Sequence, residues 1–137
     1  YEHDYTDKKQ RLHRYMQNKD LLTEKIIGCC FRVHCELGPG FNEKIYHNAL
    51  IVALKQQELQ YETEKSFRVF FQNIPVGSFK ADLIVEDKVI VELKALTGNI
   101  PNVFESQVLS YLKASGLKVG LLVNFGNRKC QVKRLVV

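Results

Sequence analysis

Long apolar runs are missing from this chain of 137 residues. None approaches the roughly 18 residues that a membrane-crossing helix needs, so no membrane partner is expected. The first twenty residues, YEHDYTDKKQRLHRYMQNKD, also lack the apolar core of a secretory signal. Internal repeats and low-complexity segments are absent. Cysteine is scarce and oddly placed: Cys29, Cys30 and Cys35 share one helix-like segment, and Cys130 stands far off. Disulfides among the first three are sterically disfavoured, and CCFRVHC plus one distant cysteine matches no common metal pattern. Free, mostly buried thiols in a reducing, cytoplasmic compartment are the simplest reading.

What is present suits one domain with a sizeable core. Composition is ordinary, at 45% hydrophobic and 26% charged, with a net charge of +5 and a pI near 9.0. That bias favours a polyanionic partner. Residues 1–19 are polar and read as a tail or an exposed helix; a domain is expected over 20–137. From Asp20, a helix N-cap candidate, apolar residues recur at helical spacing through Leu22, Ile26, Cys30, Val33 and Leu37. LGPG then stops the helix. A second helix is expected over about 42–58, with Ile45, Ala49, Val52 and Ala53 inward. Period-two residues 61–72, a turn at NIPVG, a hairpin over 79–96, a helix from Val103 to Ala114 and two final strands follow. The order predicts an α/β (α+β) fold with a single mixed sheet and flanking helices.

The hairpin FKADLIVEDKVIVELKAL carries the chemistry. Alternation along a strand puts Phe79, Ala81, Leu83 and Val85 on one face, and Lys80, Asp82 and Ile84 on the other. In its second half Ile90, Glu92 and Lys94 share a face. A turn over Glu86, Asp87 and Lys88 sets Val85 opposite Val89, and the same register sets Asp82 opposite Glu92. Opposed like charges are destabilising, and VIVELKAL is otherwise apolar enough to be buried on both faces. Surface salt-bridging by Lys80 or Lys94 is one way out. A divalent cation between the two carboxylates removes both the repulsion and the burial penalty. Mg2+ or Mn2+ suits such an oxygen site.

Asp82, with Glu92-x-Lys94 ten residues on, resembles the signature of the PD-(D/E)xK nuclease superfamily, with Ala81 where the motif's proline would stand. There the set lies on a hairpin within a restriction-endonuclease-like αβββαβ core. GPGFNEKIYHNAL contains Gly40-x-x-Glu43-x-x-Tyr46, and with RVHCELGPG and ESQVLSYLKASGLKVGLLVNFG it is similar to the GxxExxY family within that superfamily. The resemblance covers about residues 20–137. It implies a metal-dependent deoxyribonuclease with Asp82, Glu92 and the main-chain carbonyl of Leu93 on the metal and Lys94 catalytic. It implies Glu43 as an auxiliary acid, and Gln107 and Tyr111 as a Gln-x-x-x-Tyr pair lining the site.

Other readings stand beside these. Tyr46 also suits core packing with its hydroxyl at the rim, and Glu43 an acid favoured by the helix dipole. His34 is a candidate metal ligand or a packing residue. Lys8, Lys9, Arg11 and Arg14 are candidate phosphate contacts or a solvated face. DNA is the expected partner. A binding module that keeps the fold without turnover is the alternative. The chain has no evident recognition helix rich in Arg and Asn. A homodimer or a partner protein is one way a small nuclease of this kind chooses its target, and nothing in the residues demonstrates either.

Overall fold

The structure is a computed structural model that describes the backbone of residues 2–137 and the side chains of 7–11 and 21–137. Its elements are α1 (Glu2–Leu37), α2 (Glu43–Gln56), β1 (Tyr61–Phe71), β2 (Ile74–Val85), β3 (Val89–Lys94), α3 (Asn102–Ser115), β4 (Val119–Asn124) and β5 (Gln131–Val136). The strands form one sheet in the order β1-β2-β3-β4-β5. All neighbours are antiparallel except β3 and β4, which α3 joins by a parallel crossover. The expected single mixed sheet with flanking helices and an αβββαβ core is what the chain adopts, and β5 extends it.

Two apolar clusters sandwich the sheet. Leu83, Val85, Val91, Leu93, Leu121 and Val123 pack against Ile26, Cys30 and Val33 of α1 and Tyr46, Leu50 and Leu54 of α2. On the other face Ala81, Ile84, Ile90 and Leu122 meet Val108 and Leu112 of α3. Close approach of α3 requires Gly120: a Cβ there would stand 2.6 Å from a Val108 methyl. β3 and β4 are central and buried on both faces, which is why their sequences run apolar almost without interruption.

Several local expectations change. The expected helix start at Asp20 falls inside one continuous helix, because no Gly or Pro between 2 and 27 interrupts it. α2 is capped by Asn42, whose Oδ1 accepts the Ile45 amide at 3.2 Å. It turns Tyr46, Leu50, Ala53 and Leu54 inward and leaves Ile45 and Val52 exposed. The β1–β2 reversal uses Gln72 and Asn73, both at positive φ, so only the first residue of NIPVG lies in the turn. A two-residue turn with that backbone matches strand twist, so Ile74 and Pro75 enter β2.

The face assignment in β2 also breaks. Ala81 packs on the α3 side and Leu83 and Val85 on the α1–α2 side. The switch falls at Asp82, across from Glu64, whose φ of 51° interrupts β1. Among the described residues no helix is long and apolar enough to cross a membrane.

Candidate active site

The site forms where β2 and β3 part. Their ladder runs from Val85–Val89 to Leu83–Val91 and stops. The next pair in register is Asp82 and Glu92, as the hairpin reading expected, but side chains replace the backbone bonds there. The Asp82 amide donates to Glu92 Oε1 at 3.0 Å, and the Leu93 amide donates to Asp82 Oδ2 at 2.9 Å. Each carboxylate thus fills the gap left by a splayed strand and is pinned by main chain. β3 keeps its other neighbour, with Glu92 beside Leu122 of β4.

Glu92 is buried, at 4% exposure. Burial and then the Asp82 charge push its carboxyl up to about 8; the Asp82 amide and Lys94 pull the other way. Glu43, first residue of α2, has its carboxyl raised by burial and by Asp82, with Lys94 and His47 opposing. These mutual influences gather Asp82, Glu92, Glu43 and Lys94 into one electrostatic group. The Lys94 ammonium lies 4.2 Å from the Phe104 ring centroid, a cation–π contact that orients it from α3.

A cleft of about 180 Å³ opens at the fork, lined by Glu43, Lys44, His47, Glu64, Asp82 and Leu93. His47 went unnoticed in the sequence. It lies one turn after Glu43, so the two share a face of α2, and that spacing was the available signal. Its Nε2 stands 3.3 Å from the Asp82 carbonyl oxygen, and its buried Nδ1 has no hydrogen-bond partner among the described residues.

From α3, Tyr111 stacks on Phe79 with centroids 4.0 Å apart. Its hydroxyl pKa is raised by burial, then by Glu92 and Asp82, which places it beside the carboxylates. Gln107 is half-buried one turn earlier.

Other expected residues stand elsewhere. Tyr46 is fully buried, donates to the Gly38 carbonyl at 2.5 Å, accepts the Phe41 amide at 3.2 Å and stacks on Phe125. Gly40 holds a φ of 114° in the same loop, a region open to glycine. The structure does not bring His34 to the carboxylates: its Nε2 is 2.8 Å from the Asn127 carbonyl oxygen and its ring faces Phe125. Arg11 bonds Asp7 on its own helix. Lys8 and Lys9 are exposed and do not line the cleft, and Arg14 lies outside the described side chains. All four cysteines are free.

Among the described residues no cluster of three or more His, Cys, Asp or Glu side chains is arranged to hold a metal ion. A hard divalent ion does not require one, since one or two carboxylates with water and phosphate oxygens suffice. The donor set fits such an ion. Asp82 and Glu92 bring carboxylate oxygens side by side, and a cation there would oppose the burial and the Asp82 charge that raise the Glu92 carboxyl.

A mixed αβββαβ sheet with paired acids and a lysine at the fork of its hairpin defines a restriction-endonuclease-like domain. The sequence model of the PD-(D/E)XK nuclease superfamily matches residues 20–135, and the chain belongs to that superfamily. The crystal structure of SSO0001 shares the fold, with a TM-score of 0.55 at 19% identity. The match covers 68% of this chain and 48% of that one, so this chain spans about half its length. No curated protein matches the chain in sequence.

Proposed function

We propose that the chain is a divalent-metal-dependent nuclease that hydrolyses phosphodiester bonds of DNA, and that it belongs to the GxxExxY branch of its superfamily. One observation carries the reading: two acids, one of them buried, are pinned side by side, Glu92 by the Asp82 amide and Asp82 by the Leu93 amide, beside a cleft. Burying Glu92 beside Asp82 costs free energy that a proton on Glu92 offsets below about pH 8 and that a bound cation would offset with both acids ionised.

Asp82 and Glu92 would hold the ion, Mg2+ or Mn2+, with the Leu93 carbonyl and Glu43 at its margin. Bound there, the ion supplies Lewis-acid activation of the phosphoryl oxygen and of a water. The chain's own groups do the remainder. Lys94, steadied over Phe104, sets a positive charge beside the carboxylates, where negative charge grows on the phosphorane oxygens. As an ammonium its Nζ cannot take the water's proton; it orients the attacking water, whose proton passes to solvent. Tyr111, braced by Phe79, presents a hydroxyl to the substrate side, and Gln107 stands one turn away to position it. His47 fixes the Asp82 main chain through the carbonyl oxygen.

The GxxExxY spacing has a local meaning that supports the branch assignment. Gly40 lets the loop turn back, Tyr46 ties that loop to Gly38 and Phe41, and Glu43 is thereby aimed across the cleft at Asp82. Four free thiols suit a reducing, cytoplasmic setting.

The deciding experiment incubates the protein with linear, circular and single-stranded DNA, and with RNA, in Mg2+, Mn2+ or EDTA. Metal-dependent DNA cleavage lost in Asp82→Ala, Glu92→Ala and Lys94→Ala is the expected result. Cleavage that survives those substitutions belongs to a contaminant and defeats the proposal. Metal-insensitive binding without cleavage favours the non-catalytic alternative.

A further inference from the structure

The first two strands outrun the sheet. β2 pairs with β3 only over Leu83–Val85, whereas its pairing with β1 continues outward to Phe71 and Ile74. Residues 65–81 therefore form a two-stranded arm that leaves the sheet at Asp82. At ~3.3 Å per residue it reaches roughly 20 Å past the carboxylate pair. Its base is braced on α3, where Phe67 stacks on Phe79 and Phe79 on Tyr111. Its end is bare. Phe70, Phe71, Ile74 and Val76 are 57%, 65%, 63% and 60% exposed. A contiguous apolar tip on an otherwise polar surface marks an interaction site, and a ribbon without further partners is marginal in water.

Charge and direction indicate the occupant. From Lys65 to Lys80 the arm carries Lys65, Arg68 and Lys80 and no acid. Lys65 is partly answered by Glu62 at 3.2 Å. Arg68 and Lys80 are exposed and form no ion pair with a described acid. Because Phe79 points at α3, alternation turns Lys80 to the opposite face, the one on which Asp82 meets the cleft. Ser66 lies opposite Lys80 and Arg68 opposite Ser78, so all four share that face. They make a basic, hydroxyl-bearing track that ends at Asp82. Two such arms would repel each other, so the charge selects a polyanion over a second copy of the chain. A β-ribbon fits the major groove of a duplex, and apolar side chains at a tip can wedge between base steps.

We infer that the β1–β2 arm grips a nucleic-acid duplex beside the bond to be cut. Arg68 and Lys80 contact phosphates, and Phe70, Phe71 and Ile74 press against the bases. This rests on the reading of Asp82 and Glu92 as a nuclease centre, and it names a duplex rather than a single strand as the substrate class.

The test uses the full chain in EDTA, so that binding is read without turnover, on a short DNA duplex carrying 2-aminopurine. Arg68→Ser with Lys80→Ser should weaken binding about tenfold and flatten the salt dependence by about two units of slope. Phe70→Ser with Phe71→Ser should remove the 2-aminopurine signal, with circular dichroism confirming that both variants fold. Cleavage is then assayed separately in Mg2+. Arm-dependent binding by a chain that cuts nothing supports the arm while the nuclease reading fails. Wild-type binding and cleavage in both arm variants overturn the arm and leave the nuclease standing. Preference for the single strand overturns it too, as does a tip variant that only converts a dimer to a monomer in sedimentation.

Discussion

Asp82 gives its amide to the Glu92 carboxylate while its own carboxylate takes the amide of Leu93. Two acidic side chains therefore complete a β-ladder that the main chain abandons, and they do so at the point where β2 changes faces. The exchange holds the acids together, while burial and then the Asp82 charge make Glu92 reluctant to ionise. Structure and chemistry are joined at one pair, so substitutions there should affect both.

Glu92 sets the pH dependence of the metal-free protein. Its carboxyl is raised from 4.5 to about 8 in the folded state. The native state thus keeps a proton that the unfolded chain releases. The stabilising contribution is complete below pH 4.5, declines as pH rises, and is gone above about 8. The expected loss is on the order of a few kcal/mol. Urea titrations in EDTA between pH 5 and 9 should show it, and Glu92→Gln, which cannot ionise, should flatten the curve.

Lys94 should separate catalysis from folding. Its ammonium rests on Phe104 at the half-buried end of β3, outside both apolar clusters. Lys94→Met keeps most of that packing and removes the charge. Cleavage should fall by about 10²–10³-fold, the cost of losing one charge-stabilising donor, with KM and thermal midpoint nearly unchanged. A comparable loss in stability would show that Lys94 is a structural residue.

The sequence made the pairing of Asp82 with Glu92 legible, because period-two alternation and a short turn leave one register. It made the sheet legible as well, since β3 and β4 read apolar on both faces. What it hid was irregular backbone. Positive φ at Glu64 has no residue signature, so the change of face at Asp82 could not be seen. Gln72–Asn73 took the hairpin turn because an irregularity between Val69 and Phe70 shifts the register and pairs Phe71 with Ile74, which draws the rest of NIPVG into β2. His47 was passed over because one-turn spacing from Glu43 becomes meaningful only once α2 is known to lie across the fork.

Tyr46 should behave as a clamp that reaches the chemistry only through Glu43. Its hydroxyl joins Gly38 to Phe41, and its ring stacks on Phe125 at 4.6 Å. Tyr46→Phe keeps the ring and leaves a half-buried carbonyl and amide without that partner, a cost of about 1–3 kcal/mol. Denaturant midpoints should report it. Metal affinity, measured by calorimetry, should fall only slightly, through the loosened aim of Glu43, whereas Asp82→Asn should abolish it.

Metal uptake should release a proton. At pH 7 a carboxyl with a pKa of about 8 is mostly protonated, and a cation binds only its ionised form. Titrating Mg2+ or Mn2+ into the protein in buffers of different ionisation enthalpy measures that release directly. Close to one proton per ion is expected at pH 7, approaching none at pH 9, where Glu92 is already ionised. Affinity should rise over the same interval, because the ion no longer competes with a proton. In Glu92→Gln the release should vanish along with most of the affinity, since the neutral amide keeps an oxygen ligand but loses the charge. Proton release that persists in that variant would locate the titrating group elsewhere. Glu43 is the next to substitute, because its carboxyl is also raised and also faces Asp82.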